Sequence, residues 1–406
     1  MSNANVPSIR FKGFTDPWEQ RKLGDITDRY KELVPTPRDG YTRMGVRSHA
    51  KGTFLTEVEP GQQIEEQELS KVRADNLVVN IVFAWEHAVA ITSEDDAKAL
   101  VSHRFPQFSF HDDMEPGFFR YATLDENFRR YLWLASPSGA GRNKTLNIGT
   151  MLEYEFTLPS RKEQTEISKL FDSLDNLITL HQRKRYMLTQ TKKALLDKMF
   201  PKPGESVPEI RFKGFTDPWE QRKLGELADF SKGQGYSKSD LTEKGTPIIL
   251  YGRLYTNYET VISNVDTFAV EREGSVRSQG NEVIVPGSGE TAEDISVASA
   301  VAQPGVMLGG DLNIIRPSSE LEQVFLAFAI TGASPHEQMA RRAQGKTIVH
   351  LHNDDLKEVD IVFPSISEQT KIGSLLHGIE NLITLHQRKL ELLQNVKRSM
   401  LDKMFV

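Results

Sequence analysis

Residues 9–24 read IRFKGFTDPWEQRKLG, and residues 210–225 repeat the same text. A second repeat closes each half: LPSRKEQTEISKLFDSLDNLITLHQRK at 158–184 aligns with FPSISEQTKIGSLLHGIENLITLHQRK at 363–389. Most of the sequence between these blocks differs. Because two copies are too few for a solenoid, we interpret the chain as an internal duplication. Each half runs from an opening block through a variable stretch to a closing block.

The closing blocks are predicted to form long helices. Each begins with Pro-Ser-x-x-Glu, so Ser160 with Glu163 and Ser365 with Glu368 are predicted capping boxes. LDKMF ends both blocks, and Pro201 stops the first helix. A helix of about 38 residues is about 57 Å long.

Apolar residues at alternating spacings of three and four predict a heptad seam along both helices. His181 and His386 interrupt it at matching places, and we interpret them as fixing the register rather than binding a metal. Further apolar residues widen the stripe, which indicates contact with the globular parts or with a partner protein. The predicted seam and partner-binding residues are Ile167, Leu170, Leu174, Leu177, His181, Leu188, Ile372, Leu375, Ile379, Leu382, His386 and Leu393.

The variable stretches, 25–157 and 226–362, contain predicted strands and predicted helices in the same order. Each reaches a glycine-bearing basic stretch and then an apolar strand that leads into the long helix. This pattern predicts an α+β protein with two globular bodies. The predicted buried strands are 76–85 and 281–287, and the predicted helical segments are 116–136 and 320–332.

The repeats also suggest where the domains begin and end. The predicted parts are 1–158 (opening block and first globular domain), 159–200 (first spacer helix), 201–208 (linker), 209–363 (repeated block and second globular domain) and 364–406 (second spacer helix).

Composition narrows the class of protein. The 406 residues are 38% hydrophobic and 26% charged, as in soluble globular proteins. No apolar run is long enough to span a membrane, and the polar start does not resemble a signal peptide. The absence of cysteine excludes disulfides and thiol catalysis and suits the cytoplasm. A net charge of −6 argues mildly against a self-sufficient nucleic-acid binder.

The order of these segments closely resembles that of the DNA-specificity subunits of type I restriction-modification systems. The resemblance covers nearly the whole chain. Its most specific parts are F-P-S-x-x-E-Q-x-K-I at 363–372, the NLITLHQRK and LDKMF text of both closing blocks, and the twice-used GFTDPWEQRKLG.

The resemblance implies two target-recognition domains in a pseudo-twofold arrangement, separated by two long antiparallel helices that form a coiled coil. Each domain would read one half of a bipartite, asymmetric site in double-stranded DNA, and the helices would set the spacing. The helices would also recruit two adenine methyltransferase subunits, which use S-adenosylmethionine, and motor-nuclease subunits would complete the complex. The chain itself would hold no cofactor and perform no chemistry.

Candidate DNA contacts rest on chemistry, because target-recognition domains diverge. Arg, Lys and polar side chains on loops suit phosphates, and Arg, Lys, Asn or Gln suit base edges. The alternative is that these are ordinary solvated charges. The candidates are Arg43, Arg47, Ser48, His49, Lys51, Arg142, Asn143 and Lys144 in the first body, and Lys232, Gln234, Tyr236, Lys238, Tyr251, Arg253, Arg341, Arg342 and Lys346 in the second.

Motifs of enzymes are missing from the sequence. AQGKT at 343–347 lacks the earlier glycine of a phosphate-binding loop, and no Asn-Pro-Pro-aromatic, H-E-x-x-H or G-x-S-x-G occurs. We therefore predict a protein without catalytic activity. The alternative to a DNA-reading subunit is a coiled-coil scaffold that binds proteins through its two domains. DNA binding that falls steeply with salt would distinguish the first from the second.

Overall fold

The chain divides into two compact units. Unit 1 contains residues 1–180 and 390–406, and unit 2 contains residues 181–389. The computed structural model describes residues 6–137, 144–345 and 348–405.

Unit 1 combines short strands with short helices. Its strands are β1 (Glu19–Lys22), β2 (Thr27–Tyr30), β3 (Leu33–Pro35), β4 (Tyr41–Val46), β5 (Thr53–Val58), β6 (Glu68–Lys71), β7 (Asn76–Val79), β8 (Val89–Ile91), β9 (Leu100–Val101), β10 (Gln107–Phe110) and β11 (Glu155–Leu158). Its helices are α1 (Pro116–Ala122), α2 (Glu126–Leu134), α3 (Ile148–Leu152) and the first part of α4 (Arg161–Lys198). The strands form the sheets β2-β10-β7-β8 and β3-β6-β9-β4-β5 and the ribbon β1-β11.

The core of unit 1 surrounds β7, which is buried throughout. Successive side chains of a strand point to opposite faces. Leu77 and Val79 accordingly join the cluster formed with α1 and α2, whereas Val78 joins a smaller cluster with Met44 and Val101.

Unit 2 follows the same order with more strands. They are β12 (Glu220–Lys223), β13 (Ala228–Lys232), β14 (Leu241–Thr242), β15 (Thr246–Ile249), β16 (Val261–Ile262), β17 (Phe268–Ala269), β18 (Glu282–Pro286), β19 (Ser288–Gly289), β20 (Ser299–Val301), β21 (Met307–Leu308), β22 (Leu312–Pro317), β23 (Val349–His350) and β24 (Asp360–Phe363). The helices are the second part of α4, α5 (Leu224–Leu227), α6 (Arg253–Thr256), α7 (Ala292–Ile295), α8 (Gln323–Gly332), α9 (Ser334–Arg342), α10 (Asn353–Lys357) and the first part of α11 (Ile366–Met404). The sheets are β13-β22-β18-β20-β16 and β14-β17-β15-β21, with the ribbons β12-β24 and β19-β23.

The core of unit 2 surrounds β18 in the way that the core of unit 1 surrounds β7. Val283 and Val285 face the large cluster with α8, and Ile284 faces a separate cluster with Ile249 and Ile314. The buried strands predicted in both halves are therefore confirmed as the central strands of the two units.

The repeated blocks meet in each unit as an antiparallel ribbon. The EQRK text of the opening block pairs with the strand that leads into the long helix, with Glu19 opposite Leu158 in unit 1 and Glu220 opposite Phe363 in unit 2. A segment of the opening block and a segment of the closing block therefore depend on each other.

A buried ion pair joins the same two blocks. In unit 1, Arg10 donates two hydrogen bonds of 2.8 and 2.6 Å to the carboxylate of Glu163. In unit 2, Arg211 donates two of 2.7 and 2.8 Å to Glu368. The glutamates predicted to complete capping boxes thus bind arginines instead, because the opening block brings a guanidinium to the start of each helix.

Three aromatic rings complete this frame in each unit. Trp18 makes edge contacts with Phe118 and Phe405 in unit 1. In unit 2, Trp219 makes edge contacts with Phe200 and Phe325. One phenylalanine in each unit comes from an LDKMF sequence. Phe200, just beyond α4, packs in unit 2, and Phe405, just beyond α11, packs in unit 1. Both tryptophans are buried in this packing.

The two long helices run antiparallel within each unit. In unit 2, His181 contacts His386, whereas Lys192, eleven residues further along α4, pairs with the earlier residue Glu380 of α11. In unit 1, Lys397 pairs with Asp175. The partners thus move backward along α11 as the chain moves forward along α4, as the family resemblance implied.

The phase of the predicted seam is wrong at alternate positions. Leu177, Leu375 and Leu382 are exposed, with 43%, 37% and 46% of their surface accessible. Their neighbours Ile178, Leu376 and Ile383 are half-buried or buried. Similarly, Phe171 is fully buried where Leu170 is only half-buried. Both neighbours are apolar at these positions, so spacing alone could not choose. Phe171 turns inward because it packs on the ring of Tyr121, 4.8 Å away.

The remaining predicted seam residues are not exposed. The predicted seam residues that are buried or half-buried are Ile167, Leu170, Leu174, His181, Leu188, Ile372, Ile379, His386 and Leu393.

Other elements differ from prediction at their ends. The strand predicted over 76–85 stops at Val79, because the side chain of Asn80 accepts from the amide of Val82 and turns the chain. The helical segment 116–136 is divided into α1 and α2, since Asp125 caps α2 through the amides of Asn127 and Phe128. The predicted α+β class is confirmed.

Candidate nucleic-acid interface

Three segments meet at the end of β7 in unit 1. The amide of Ile81 donates to the carbonyl of Arg104, and the amide of Leu146 donates to the carbonyl of Ile81. The hairpin loop between β4 and β5 joins them, because the amide of His49 donates to the carbonyl of Glu86 at 2.8 Å. Loops distant in the sequence therefore form one surface.

The side chains on this surface are basic and aromatic. Lys144 contacts two indole rings, with its Nζ 5.0 Å from the ring centre of Trp85 and 4.7 Å from that of Trp133. The hydroxyl of Ser48 donates to the carboxylate of Glu86 at 2.7 Å. We call the surface formed by Ser48, His49, Trp85, Trp133 and Lys144 surface 1.

The backbone beneath surface 1 is unusual. His49, Ala50 and His87 have φ values of 61°, 49° and 62°. Residues other than glycine are rare in this left-handed region, and such conformations cluster at functional sites. Paired amide bonds hold the loop there: His49 to Glu86, and Ala50 to the carbonyl of His87 at 2.8 Å.

His87 supports the surface from below. Burial lowers the pKa of His87, so the imidazole stays neutral at physiological pH. Its Nε2 lies 2.8 Å from the carbonyl oxygen of Thr123. A carbonyl only accepts, so Nε2 carries the proton and donates. This bond ties the 83–87 turn to the connection between α1 and α2.

The structure brings together several of the predicted contacts of the first body. Ser48, His49 and Lys144 lie on surface 1, and Lys51 lies exposed on the same hairpin loop. Arg47 is exposed beside the ring of Phe54, 5.2 Å away, and bonds the carbonyl of Thr53. Arg43 is exposed within β4. Arg142 and Asn143 lie outside the described residues.

Sequence reasoning missed the aromatic part of surface 1. Trp133 of surface 1 is 50% exposed, and Phe83, just before the turn that carries Trp85, is 45% exposed. In the sequence both are apolar residues in or beside apolar runs, which is typical of residues in a core. Residues Ala84–Glu86 form a turn, and the backbone of this turn directs Trp85 toward Lys144. The spacing of apolar residues in the sequence does not show this direction.

Unit 2 has a cleft at the equivalent place in its chain order. It follows the central strand β18, as surface 1 follows β7, and its other wall is β23, which precedes α10 and β24. Ser288 of β19 pairs with His350 of β23. The cleft has a volume of about 1120 Å³. We call it surface 2; the polar and aromatic residues lining it include Tyr251, Tyr255, Tyr258, Ser288, Glu290, Glu293, Asp294, Asp311 and His350.

Hydrogen bonds fix the walls of surface 2. The hydroxyl of Tyr255 donates to the carbonyl of Ser288 at 2.6 Å, and the ring of Tyr251 stands edge-on to it at 6.3 Å. The hydroxyl of Ser288 lies 2.9 Å from Nδ1 of His350. Burial, helped by Asp294 and Asp311, raises the pKa of Tyr255. The phenol therefore keeps its proton and remains a donor.

The two surfaces differ in charge. Surface 2 carries Glu290, Glu293, Asp294 and Asp311, whereas surface 1 carries Lys144. Carboxylates can accept hydrogen bonds from the amino groups of cytosine, and a lysine can donate to the acceptor atoms of guanine. The equivalent positions thus offer different chemistry to a base edge.

Two predicted contacts in the second body have structural roles instead. Tyr236 is buried and its hydroxyl accepts from the amide of Arg272 at 2.8 Å. Arg253 is held by Glu259 and Asp266 at 2.9 and 3.0 Å, so its charge is already matched. We therefore remove both from the set of candidate DNA contacts.

The other candidates of the second body are scattered. Lys232, Gln234 and Lys238 are exposed around the loop after β13, and Tyr251 is exposed beside surface 2. Arg341 is exposed near Glu337, whereas Arg342 donates to the carbonyls of Gln338 and Glu358. Lys346 lies outside the described residues.

Two other kinds of site are not found among the described residues. No cluster of three or more histidine, aspartate or glutamate side chains there is arranged to hold a metal ion. No helix in the same part of the chain combines the length and apolar character needed to cross a membrane.

Comparison with known proteins identifies the class of this duplicated fold. The family described as "Type I restriction modification DNA specificity domain" matches residues 65–190 and 216–395, together more than half of the chain. The chain therefore belongs to this family, whose members are specificity subunits of type I restriction-modification systems.

Named relatives agree with this assignment. A type I restriction enzyme MjaVIII specificity subunit from Methanocaldococcus jannaschii is 21% identical over 259 residues, which cover 60% of each chain. A putative type I restriction enzyme MjaX specificity subunit from the same organism is 22% identical over 95% of this chain and 92% of its own. The S subunit of a type I restriction-modification system from M. genitalium, 13% identical over 99% of both chains, has a similar fold with a TM-score of 0.54.

Proposed function

We propose that this chain is the DNA-reading subunit of a cytoplasmic type I restriction-modification complex. Unit 1 reads one half of a bipartite, asymmetric site in double-stranded DNA, and unit 2 reads the other. The long helices set the spacing and recruit two adenine methyltransferase subunits together with motor-nuclease subunits. The chemistry belongs to those partners, and the methyltransferase holds S-adenosylmethionine.

The observation that carries this proposal is the pairing of equal frames with unequal surfaces. Arg10 and Arg211 hold equivalent glutamates in the two units, and the central strands β7 and β18 have the same burial. Yet the surfaces that follow these strands are basic and aromatic in unit 1 and acidic in unit 2. A duplicated protein whose two copies read different base sequences needs this combination.

Exposed leucines on the helices support recruitment of a partner. Leu177 and Leu382 occupy matching positions in the repeat and are 43% and 46% exposed. Leu180 and Leu385 match in the same way and are both 45% exposed. Burial within either unit does not explain why the repeat keeps leucine there. Two copies of one partner, each contacting an equivalent helix face, would explain it.

The test is a map of methylated adenines across a genome, in cells that carry the cognate methyltransferase with and without this chain. A split motif that requires the chain is the expected result. Exchange of residues 226–362 for another domain should then change one half of the motif and leave the other half intact. Absence of any chain-dependent motif, with protein and partner stably present, would favour a protein-binding scaffold instead.

A further inference from the structure

We propose that Trp85 and Trp133 form an aromatic clamp that positions the ammonium of Lys144 to read a base edge in the half-site of unit 1. The inference rests on the proposed function and names residues that carry part of its specificity. Trp85 and Trp133 act as positioning residues, and Lys144 makes the contact.

The clamp holds the lysine through contacts with two rings. Its Nζ lies 5.0 Å from one indole centre and 4.7 Å from the other, both within cation–π range. The indole of Trp85 is itself fixed, because its Nε1 donates to the carbonyl of Val82 at 3.1 Å. An aromatic face attracts a cation without neutralising its charge. The side chain is therefore held in place while its donors remain available to a base.

The side chains around the clamp are exposed, unlike those of a hydrophobic core. Trp133 and Leu134 at the end of α2 are 50% and 60% exposed, and Phe83 is 45% exposed. Exposed large apolar side chains in these segments are typical of a surface used for interaction.

Charge complementarity identifies the occupant as DNA. The segments that meet at this surface also carry Arg47, Lys51 and Arg104, all exposed. Cations around an apolar centre suit a duplex, because phosphates flank the groove and base edges lie inside it. Lysine donates to O6 and N7 of guanine, and apolar side chains contact the methyl group of thymine.

The clamp favours base recognition because it orders the lysine side chain before DNA binds. A free lysine loses rotamer freedom when it binds, and this loss opposes recognition. Because the indole contacts already restrict the lysine rotamers in the folded protein, part of this entropy is lost on folding rather than on DNA binding. It also directs the ammonium to one place, so that the wrong base leaves the donors without an acceptor.

The experiment compares Lys144→Ala, Trp133→Ala and Trp133→Phe with the natural chain, in the complete methyltransferase complex. The readout is the fraction of adenines methylated at genomic sites that carry each base at each position of the motif. We expect Lys144→Ala to reduce discrimination about 10-fold or more at one position of one half-site. Trp133→Ala should relax the same position, and Trp133→Phe should retain most of it. The other half-site serves as an internal control.

A charge-matched control is Lys98→Ala, because Lys98 is exposed in unit 1 and pairs with its neighbour Asp95. It should leave the motif unchanged. If Lys144→Ala instead lowers methylation equally at all sites and reduces the salt slope of DNA binding by about one, the lysine contacts a phosphate and the clamp does not read a base.

Other outcomes also decide the matter. Loss of methyltransferase from the complex of Trp133→Ala, with an unchanged motif, would make the aromatic cluster a protein-binding surface and overturn the inference. Unchanged motifs in all variants, beside a normal motif in the natural chain, would overturn the clamp alone. No motif in the natural chain would overturn the proposed function and the clamp with it.

Discussion

Arg10 and Glu163 lie 153 residues apart in sequence, yet the guanidinium binds the carboxylate through two hydrogen bonds with only 11% and 2% of the two side chains exposed. Arg211 and Glu368 repeat this pair in unit 2. The pair explains why the opening and closing blocks are retained together: each contains one charge that the other must match.

We expect Arg10→Ala and Arg211→Ala to destabilise the protein by about 3–5 kcal/mol each, because each leaves a buried carboxylate without its cation. The measurement is the free energy of unfolding from urea titration. Arg21→Ala is the matched control, since Arg21 pairs with Asp113 at the surface and should cost about 1 kcal/mol or less. Equal losses in all three variants would contradict the importance of burial.

The ion pair between Lys192 and Glu380 should couple the two helices. Glu380 also accepts from the hydroxyl of Thr260 at 2.7 Å, so the pair connects both helices to the globular part of unit 2. A double-mutant cycle with Lys192→Met and Glu380→Gln should give an interaction energy of about 0.5–3 kcal/mol. The exposed pair of Lys169 and Glu166 should give about 0.5 kcal/mol or less. A coupling energy no larger than that of the control pair would show that Lys192 and Glu380 do not contribute to the packing of the two helices.

The contact between His181 and His386 should make stability depend on pH. Their Nδ1 atoms are 2.7 Å apart, which requires one nitrogen to donate and the other to accept. Burial, together with His181, Lys184 and Lys389, lowers the pKa of His386. The unfolded chain therefore binds more protons near its ordinary pKa of about 6.5, so the stability present above that pH is lost as the pH falls through the lower, folded pKa.

Unfolding titrations between about pH 5 and 8 test this dependence. His386→Gln should flatten the pH profile. The lowered pKa of the buried His87 contributes with the same sign, so His87→Gln serves as the comparison. If His386→Gln leaves the slope unchanged while His87→Gln removes it, the histidine pair plays no part.

A fragment of residues 201–406 should associate with itself. In unit 2 the first part of α11 packs against residues 181–200, through contacts such as Lys192 with Glu380. The fragment lacks those residues but has the related text at 386–405 in the second half of α11. A helix of 39 residues cannot fold back on itself, so a second copy must supply the partner. Sedimentation equilibrium should show a dimer; a folded monomer would contradict this arrangement.

Leu177→Ser and Leu382→Ser should weaken methyltransferase binding while changing the free energy of unfolding by about 0.5 kcal/mol or less, as expected at exposed positions. Each change should affect one of the two methyltransferase sites. Quantitative pull-down with purified methyltransferase is the measurement. Val270→Ser, at a residue 66% exposed in unit 2, is the control and should bind normally. Normal binding by the leucine variants would place the methyltransferase elsewhere.

The candidate surfaces were predictable only in part. Ser48, His49 and Lys144 were found from residue type, because cations and hydroxyls between strands are exposed in most folds. Trp85 and Trp133 were not, since an aromatic residue in an apolar run usually packs in the core. Tyr236 and Arg253 were predicted to contact DNA because their residue types suit it. Nothing in the local sequence shows that Tyr236 bonds Arg272, or that Glu259 and Asp266 pair with Arg253.

The sequence by itself determined the duplication, the two long helices, the buried strands and the family, because each leaves a local pattern: repeated text, heptad spacing, or a short apolar run. The tertiary structure alone decided the inward phase of the helices, the arginine partners of Glu163 and Glu368, and the side chains that meet at the two surfaces. Leu375 and Leu376 illustrate the division. Both are leucines on one stripe, and only packing against the core of unit 2 buries the second and leaves the first exposed. Local patterns record what a segment can form, whereas contacts between distant segments select which of its faces is used.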